Sequence, residues 1–133
     1  DLKLIVEFVR RRDRDALCRY GKSCVDVCYL SSEKLGLPVV TVASNQGEAL
    51  GGGFEAALSS DVIIAEETAR CVLPGILSNL FPGMGAYTFL ARRVGPAVAE
   101  KIIFSGKIYT AQELLELGVV DKVVPAGTGR AAL

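Results

Sequence analysis

The residues best suited to chemistry stand together in GGGFE, where Gly51, Gly52 and Gly53 run up to a carboxylate, Glu55. Glycines at the start of a helical pattern leave backbone N–H groups unpaired. The positive end of the helix dipole lies there too, so such a turn can hold an oxyanion or a phosphate. Glu55 can move protons beside it, or it can simply complement the dipole, worth about 0.3 to 1 kcal/mol. The chain has no histidine, which removes the commonest general base and any Ser-His or Cys-His pair. Acid–base work therefore falls to carboxylates, Tyr, Lys or Cys.

Elements on both sides must position this turn. The run Leu37 to Glu55, LPVVTVASNQGEALGGGFE, opens on the β-branched Val39, Val40, Thr41 and Val42, which predict a buried strand feeding the glycines. A helix over Gly51 to Ser60 follows, then short strands at Val62 to Ala65 and Arg70 to Leu73. PGILSNLFPGMG, ending at Gly85, reads as a functional-length loop with at most a helical turn inside it. Two helices separated by Gly95 span Ala86 to Val94 and Pro96 to Phe104, and Lys107 to Tyr109 is short and extended. Thr110 and Glu113 have capping-box spacing before Leu114 and Leu115, and Gly118 ends that helix. Val119, Val120, Val123 and Val124 predict a last strand, and the small-residue tail beyond Pro125 shows no pattern. Upstream, Leu2, Ile5, Val6 and Val9 mark one helical face, and Asp13 or Asp15 can cap a second helix through Leu17, Tyr20, Cys24 and Cys28.

The 133 residues suit one domain, and half of them are hydrophobic. Zero formal net charge argues against a nucleic-acid binder. The basic cluster Arg10, Arg11, Arg12 and Arg14 is interleaved with Asp13 and Asp15, which favours a solvated turn over an anion site. No apolar run is long enough for a membrane span, so the expected home is cytoplasmic. Cys18, Cys24, Cys28 and Cys71 lack CxxC spacing, so neither metal binding nor disulfides are expected.

GEALGGGFE has neither GxGxxG spacing nor a GK[ST] ending, which sets dinucleotide and ATP binding aside. Leu37 to Val124 resembles the crotonase (enoyl-CoA hydratase/isomerase) superfamily in the glycine turn, DVIIAEETA, the LP loop, G-x-x-x-L-x-R-x-x-G and YTAQELLELGVVDKVV. GEALGGGFEAALSSDVIIAEE, LFPGMGAYTFLARRVG and the opening DLKLIVEFVRRRDRDAL are most similar to diffusible signal factor synthases, which make cis-2-unsaturated fatty-acid signals by dehydrating a 3-hydroxyacyl thioester and can also hydrolyse the thioester. The resemblance implies an α/β fold, part of a ββα spiral with flanking helices. It divides the single domain into a helical segment over 1–36, a core over 37–124 and a tail over 125–133.

The resemblance also implies a fatty acyl thioester, on CoA or an acyl carrier, as substrate, with no separate cofactor and no metal. Gly52 matches an oxyanion-holding amide, worth about 3 to 4 kcal/mol in comparable sites, and Glu55 matches the first catalytic carboxylate. Leu50, Gly51, Gly53, Leu73, Gly75 and Gly83 are the expected substrate-contacting positions. Gly75 occupies the place of the family's second catalytic glutamate, so hydratase or dehydratase activity is expected to be impaired. Glu48, Glu66 and Glu67 match no catalytic position, and Glu66 and Glu67 are expected to face solvent. Family members are roughly twice as long, and the turns carrying the other oxyanion donor find no counterpart here. The expected consequence is a bare strand edge and assembly with copies of itself or a partner; a non-catalytic interaction protein that keeps the fold is the alternative.

Overall fold

The computed structural model describes residues 1–133. Helices α1 (Leu2–Arg10) and α2 (Arg14–Ser32) come first, each capped by an aspartate: Asp1 accepts from the Lys3 N–H and Asp13 from the Ala16 N–H. A 3₁₀ turn at Lys34–Gly36 leads to strand β1 (Val42–Asn45). Strand β2 (Glu48–Leu50), helix α3 (Gly52–Leu58) and strands β3 (Val62–Glu66) and β4 (Arg70–Val72) follow. A 3₁₀ turn at Pro74–Ser78 opens the loop to helices α4 (Ala86–Val94) and α5 (Pro96–Ser105). Strand β5 (Tyr109–Thr110), helix α6 (Ala111–Glu116), strand β6 (Lys122–Val124) and a 3₁₀ turn at Gly129–Ala132 complete the chain.

The six strands form two three-stranded sheets. One is all parallel in the order β1-β3-β6; the other runs β2-β4-β5, with β2 and β4 parallel and β4 and β5 antiparallel. The passes β1-β2-α3 and β3-β4 followed by α4 and α5 each give one strand to each sheet before a helix, which is a ββα spiral, and the last pass places α6 between β5 and β6. Ile63 and Ala65 point from β3 into a core of 19 buried residues with Phe54, Leu58, Leu90, Ile103 and Leu114. Burying each large side chain contributes about 1.5 to 3 kcal/mol.

Three strand expectations change. Val39, Val40 and Thr41 are not strand, and Val39 and Val40 are 47% and 67% exposed. The ladder starts at Val42 opposite Val62, and just before it Asp61 takes the Thr41 N–H on its carboxylate, so backbone that would extend the sheet is capped instead. Val119 and Val120 are buried but precede β6, because both amides close the end of α6 on the Leu114 carbonyl at 2.8 and 3.1 Å. β2 is three residues long and offers too few positions for an alternation signal.

The tail is also organised. Glu66 is buried, contrary to the expectation that it faces solvent: its two oxygens accept the Gly127 and Gly129 amides, each at 2.9 Å. Side chains at 64 and 66 share the sheet face away from the core, and the Gly129–Ala132 turn lies against β1 and β3 there. Glu67 is exposed and its Oε1 accepts the Ala126 N–H at 3.3 Å.

Candidate functional site

Gly51 makes the turn between β2 and α3. Its φ of +51° with ψ of −117° is a conformation for glycine, and its N–H donates to the Val72 carbonyl at 2.8 Å. That bond continues the β2–β4 pairing, in which Leu50 stands opposite Val72. A Cβ at Gly51 would lie 3.8 Å from Pro74, so the start of α3 and the start of the Pro74–Ser78 turn are neighbours. The first amides of α3 have no helical carbonyl four residues back. The Met84 thioether covers Gly52, with Sδ 3.0 Å from where a Cβ would stand.

One turn further, Glu55 is only 4% exposed. Its Oε2 accepts two amides from the far end of the loop, Met84 N–H at 2.8 Å and Ala86 N–H at 3.1 Å. Burial pushes the Glu55 carboxyl above its ordinary value, opposed by these bonds from Ala86 and Met84. Cys28 of α2 is buried beside it, and its thiol is held up by burial and then by the Glu55 charge. This is a buried carboxyl on α3, fastened to the N-terminus of α4.

The remaining positions spread over the loop. Gly53 is exposed, with nothing within 4 Å of a Cβ there. Gly83 is exposed beside the Phe81 carbonyl. Leu73 is 3% exposed and belongs to the core. Gly75 is half-buried, its carbonyl accepts the Leu80 N–H at 2.9 Å, and a Cβ on it would meet the Leu80 carbonyl oxygen at 2.9 Å. The structure thus gathers Gly51, Gly52, Glu55 and Pro74 around one turn, sets Leu73 into the core, and closes the loop over Gly75. An apolar cleft of about 230 Å³, lined by Phe81, Tyr87, Ile103, Phe104 and Glu100, lies between the same loop and α4 and α5.

The profile of the Enoyl-CoA hydratase/isomerase family matches residues 20–129. The chain belongs to this family. The 2,3-dehydroadipyl-CoA hydratase of Escherichia coli is 42% identical over 85 residues, which are 64% of this chain and 33% of that enzyme. The structure of an enoyl-CoA hydratase from Polaromonas sp. superposes with a TM-score of 0.87 at 26% identity, covering 99% of this chain and 50% of that one. Pseudomonas aeruginosa DspI superposes at 0.82 with 28% identity, over 90% of this chain and 44% of that one. The matched stretch is a third of the hydratase's length, and the superposed region is about half of each solved chain.

Sequence reasoning missed Met84 and Ala86 as partners of Glu55, and Gly85 as the turn between them. The available signal was GMGA immediately before a helical pattern, where a glycine preceding the first helical residue suggests a special backbone turn. Arg93 was missed as well. Its guanidinium reaches the Ser60, Asp61 and Val119 carbonyls and Asp121 Oδ2, tying α4 to the entry of β3 and to the segment before β6.

Proposed function

We propose that this enoyl-CoA hydratase/isomerase-family chain binds a fatty acyl thioester, on CoA or an acyl carrier, and is most similar within the family to diffusible signal factor synthases. The thioester oxygen would be received at the start of α3, with Gly52 as one donor. Glu55 is the one carboxylate left for proton transfer. Hydration or dehydration, which in this reading needs a second carboxylate, is impaired because Gly75 offers none.

The observation that carries this reading is the pairing of a buried, fastened Glu55 with a Gly75 closed over by Leu80. An assay with crotonyl-CoA and a medium-chain 3-hydroxyacyl thioester, alongside calorimetric titration of the same ligands, tests it. The expected result is binding with little or no turnover. Turnover that disappears in Glu55→Gln would sink the impaired reading. Absence of any binding would favour a second reading, a non-catalytic interaction protein, for which the exposed apolar residues Val39 and Val40 ahead of β1 and Leu50 on β2 speak.

A further inference from the structure

We propose that Gly85 is a positioning residue for Glu55: it turns the amides of Met84 and Ala86 onto one carboxylate oxygen, Oε2, and leaves Oε1 as the oxygen that exchanges a proton with a bound acyl thioester. The second half of this statement rests on the acyl-thioester reading above; the first half does not.

Amides two residues apart in an extended chain point in similar directions but stand too far apart to share one acceptor, so a turn between them is required. Gly85 supplies it with φ +114° and ψ 9°. The same residue leaves no space for a side chain, since a Cβ would lie 2.7 Å from Cε2 of Phe89, whose ring is buried in the core one turn into α4. Backbone and packing each require glycine here. Met84 and Ala86 then bond the same oxygen at 2.8 and 3.1 Å.

Ala86 is the first residue of α4, which has no side-chain cap of its own. Glu55 fills that role from another element, and the positive end of the α4 dipole faces its negative charge. Two charge-assisted bonds make Oε2 the poorer proton acceptor. Oε1 has no partner in the protein, and it is not sealed in, because Ser44 Oγ is the sole buried side-chain polar atom left without a partner. The proton-exchanging atom is thereby selected by the glycine immediately before the first residue of α4.

The titratable group facing Glu55 from another element is Cys28 of α2, whose thiol is pushed up by burial and then by the Glu55 charge. Protonation of Glu55 weakens the two bonds, so the Met84 and Ala86 amide protons must follow its charge.

Amide and carboxyl NMR of the full chain tests this. In the wild type, the Met84 and Ala86 amide shifts should titrate with the midpoint of the Glu55 carboxyl carbon, and Glu55→Gln should abolish that dependence. Gly85→Ala should move the Glu55 midpoint upward. Gly95→Ala, at another positive-φ glycine with nothing near its Cβ position, should leave the midpoint in place while adding comparable backbone strain. Amides that do not titrate in the wild type, or an unmoved midpoint in folded Gly85→Ala, would overturn the proposal. Should Gly85→Ala not fold, the wild-type and Glu55→Gln titrations decide by themselves. Intact amide titration without thioester binding would overturn the role of Oε1 and the functional reading, and would leave the hold of Gly85 on Glu55 standing.

Discussion

Glu55 carries two opposed influences, burial that favours its neutral form and two backbone amides that favour its charge, and burial prevails. A carboxyl whose folded midpoint lies above its unfolded one adds stability that is complete below the unfolded value and is lost as pH rises through the folded one. Unfolding free energy measured by urea titration should therefore decline as pH rises from about 4.5 through the Glu55 midpoint, and Glu55→Gln should remove that component. Gly75 makes a second test at this scale. A side chain there meets the Leu80 carbonyl oxygen at 2.9 Å, a backbone atom that cannot rotate away. Gly75→Glu is expected to destabilise the chain by about 1 to 3 kcal/mol, read from the denaturation midpoint, so returning the carboxylate requires the Pro74–Ser78 turn to open. A variant as stable as the parent would show that the turn yields freely.

Among elements, the site depends on how α3, the loop and α4 are joined. α3 has seven residues, too short to be stable alone in water. Phe54 and Leu58 anchor it in the core, and Glu55 ties it to α4. α4 is held at its other end by Arg93, a side chain 13% exposed that serves three carbonyls and Asp121. Removing it takes that donor from the three carbonyls, while Asp121 Oδ2 keeps the Ile63 N–H at 2.7 Å. Arg93→Ala should cost about 2 to 4 kcal/mol in thermal or chemical unfolding, and Arg93→Lys should recover only part of that, since an ammonium cannot reproduce the planar fork. A loss below about 0.5 kcal/mol would contradict this role.

For the molecule as a whole, the notable feature is what stays uncovered. β1 and β2 are each the outer strand of a sheet, and Val42 and Leu50 on them are 43% and 50% exposed. Leu2, Val6 and Val9 of α1 are exposed as well, while Phe8 of that helix packs its ring edge-on against Tyr20 of α2 at 6.3 Å. Unpaired strand edges beside apolar side chains favour association. Sedimentation equilibrium at micromolar concentration should show species larger than the 14.1 kDa monomer, and a well-folded monomer under those conditions would count against it. No helix is long and apolar enough to cross a membrane.

By itself the sequence determined the helices, most strands and the glycine turn, because capping, periodicity and φ > 0 glycines are local properties. The Thr110–Glu113 box formed as its spacing required, and α4 and α5 separate at Gly95. Motif order carried the family. Only the tertiary structure decided where Val39 to Thr41 leave the sheet, because a strand needs a neighbour and Asp61 ends the ladder. It buried Glu66 beneath the tail, because that carboxylate's donors lie 61 and 63 residues away along the chain. For the same reason it decided the state of Glu55: a carboxylate's basicity and free oxygen depend on donors that arrive from 29 and 31 residues further on, and no spacing within GGGFE encodes them.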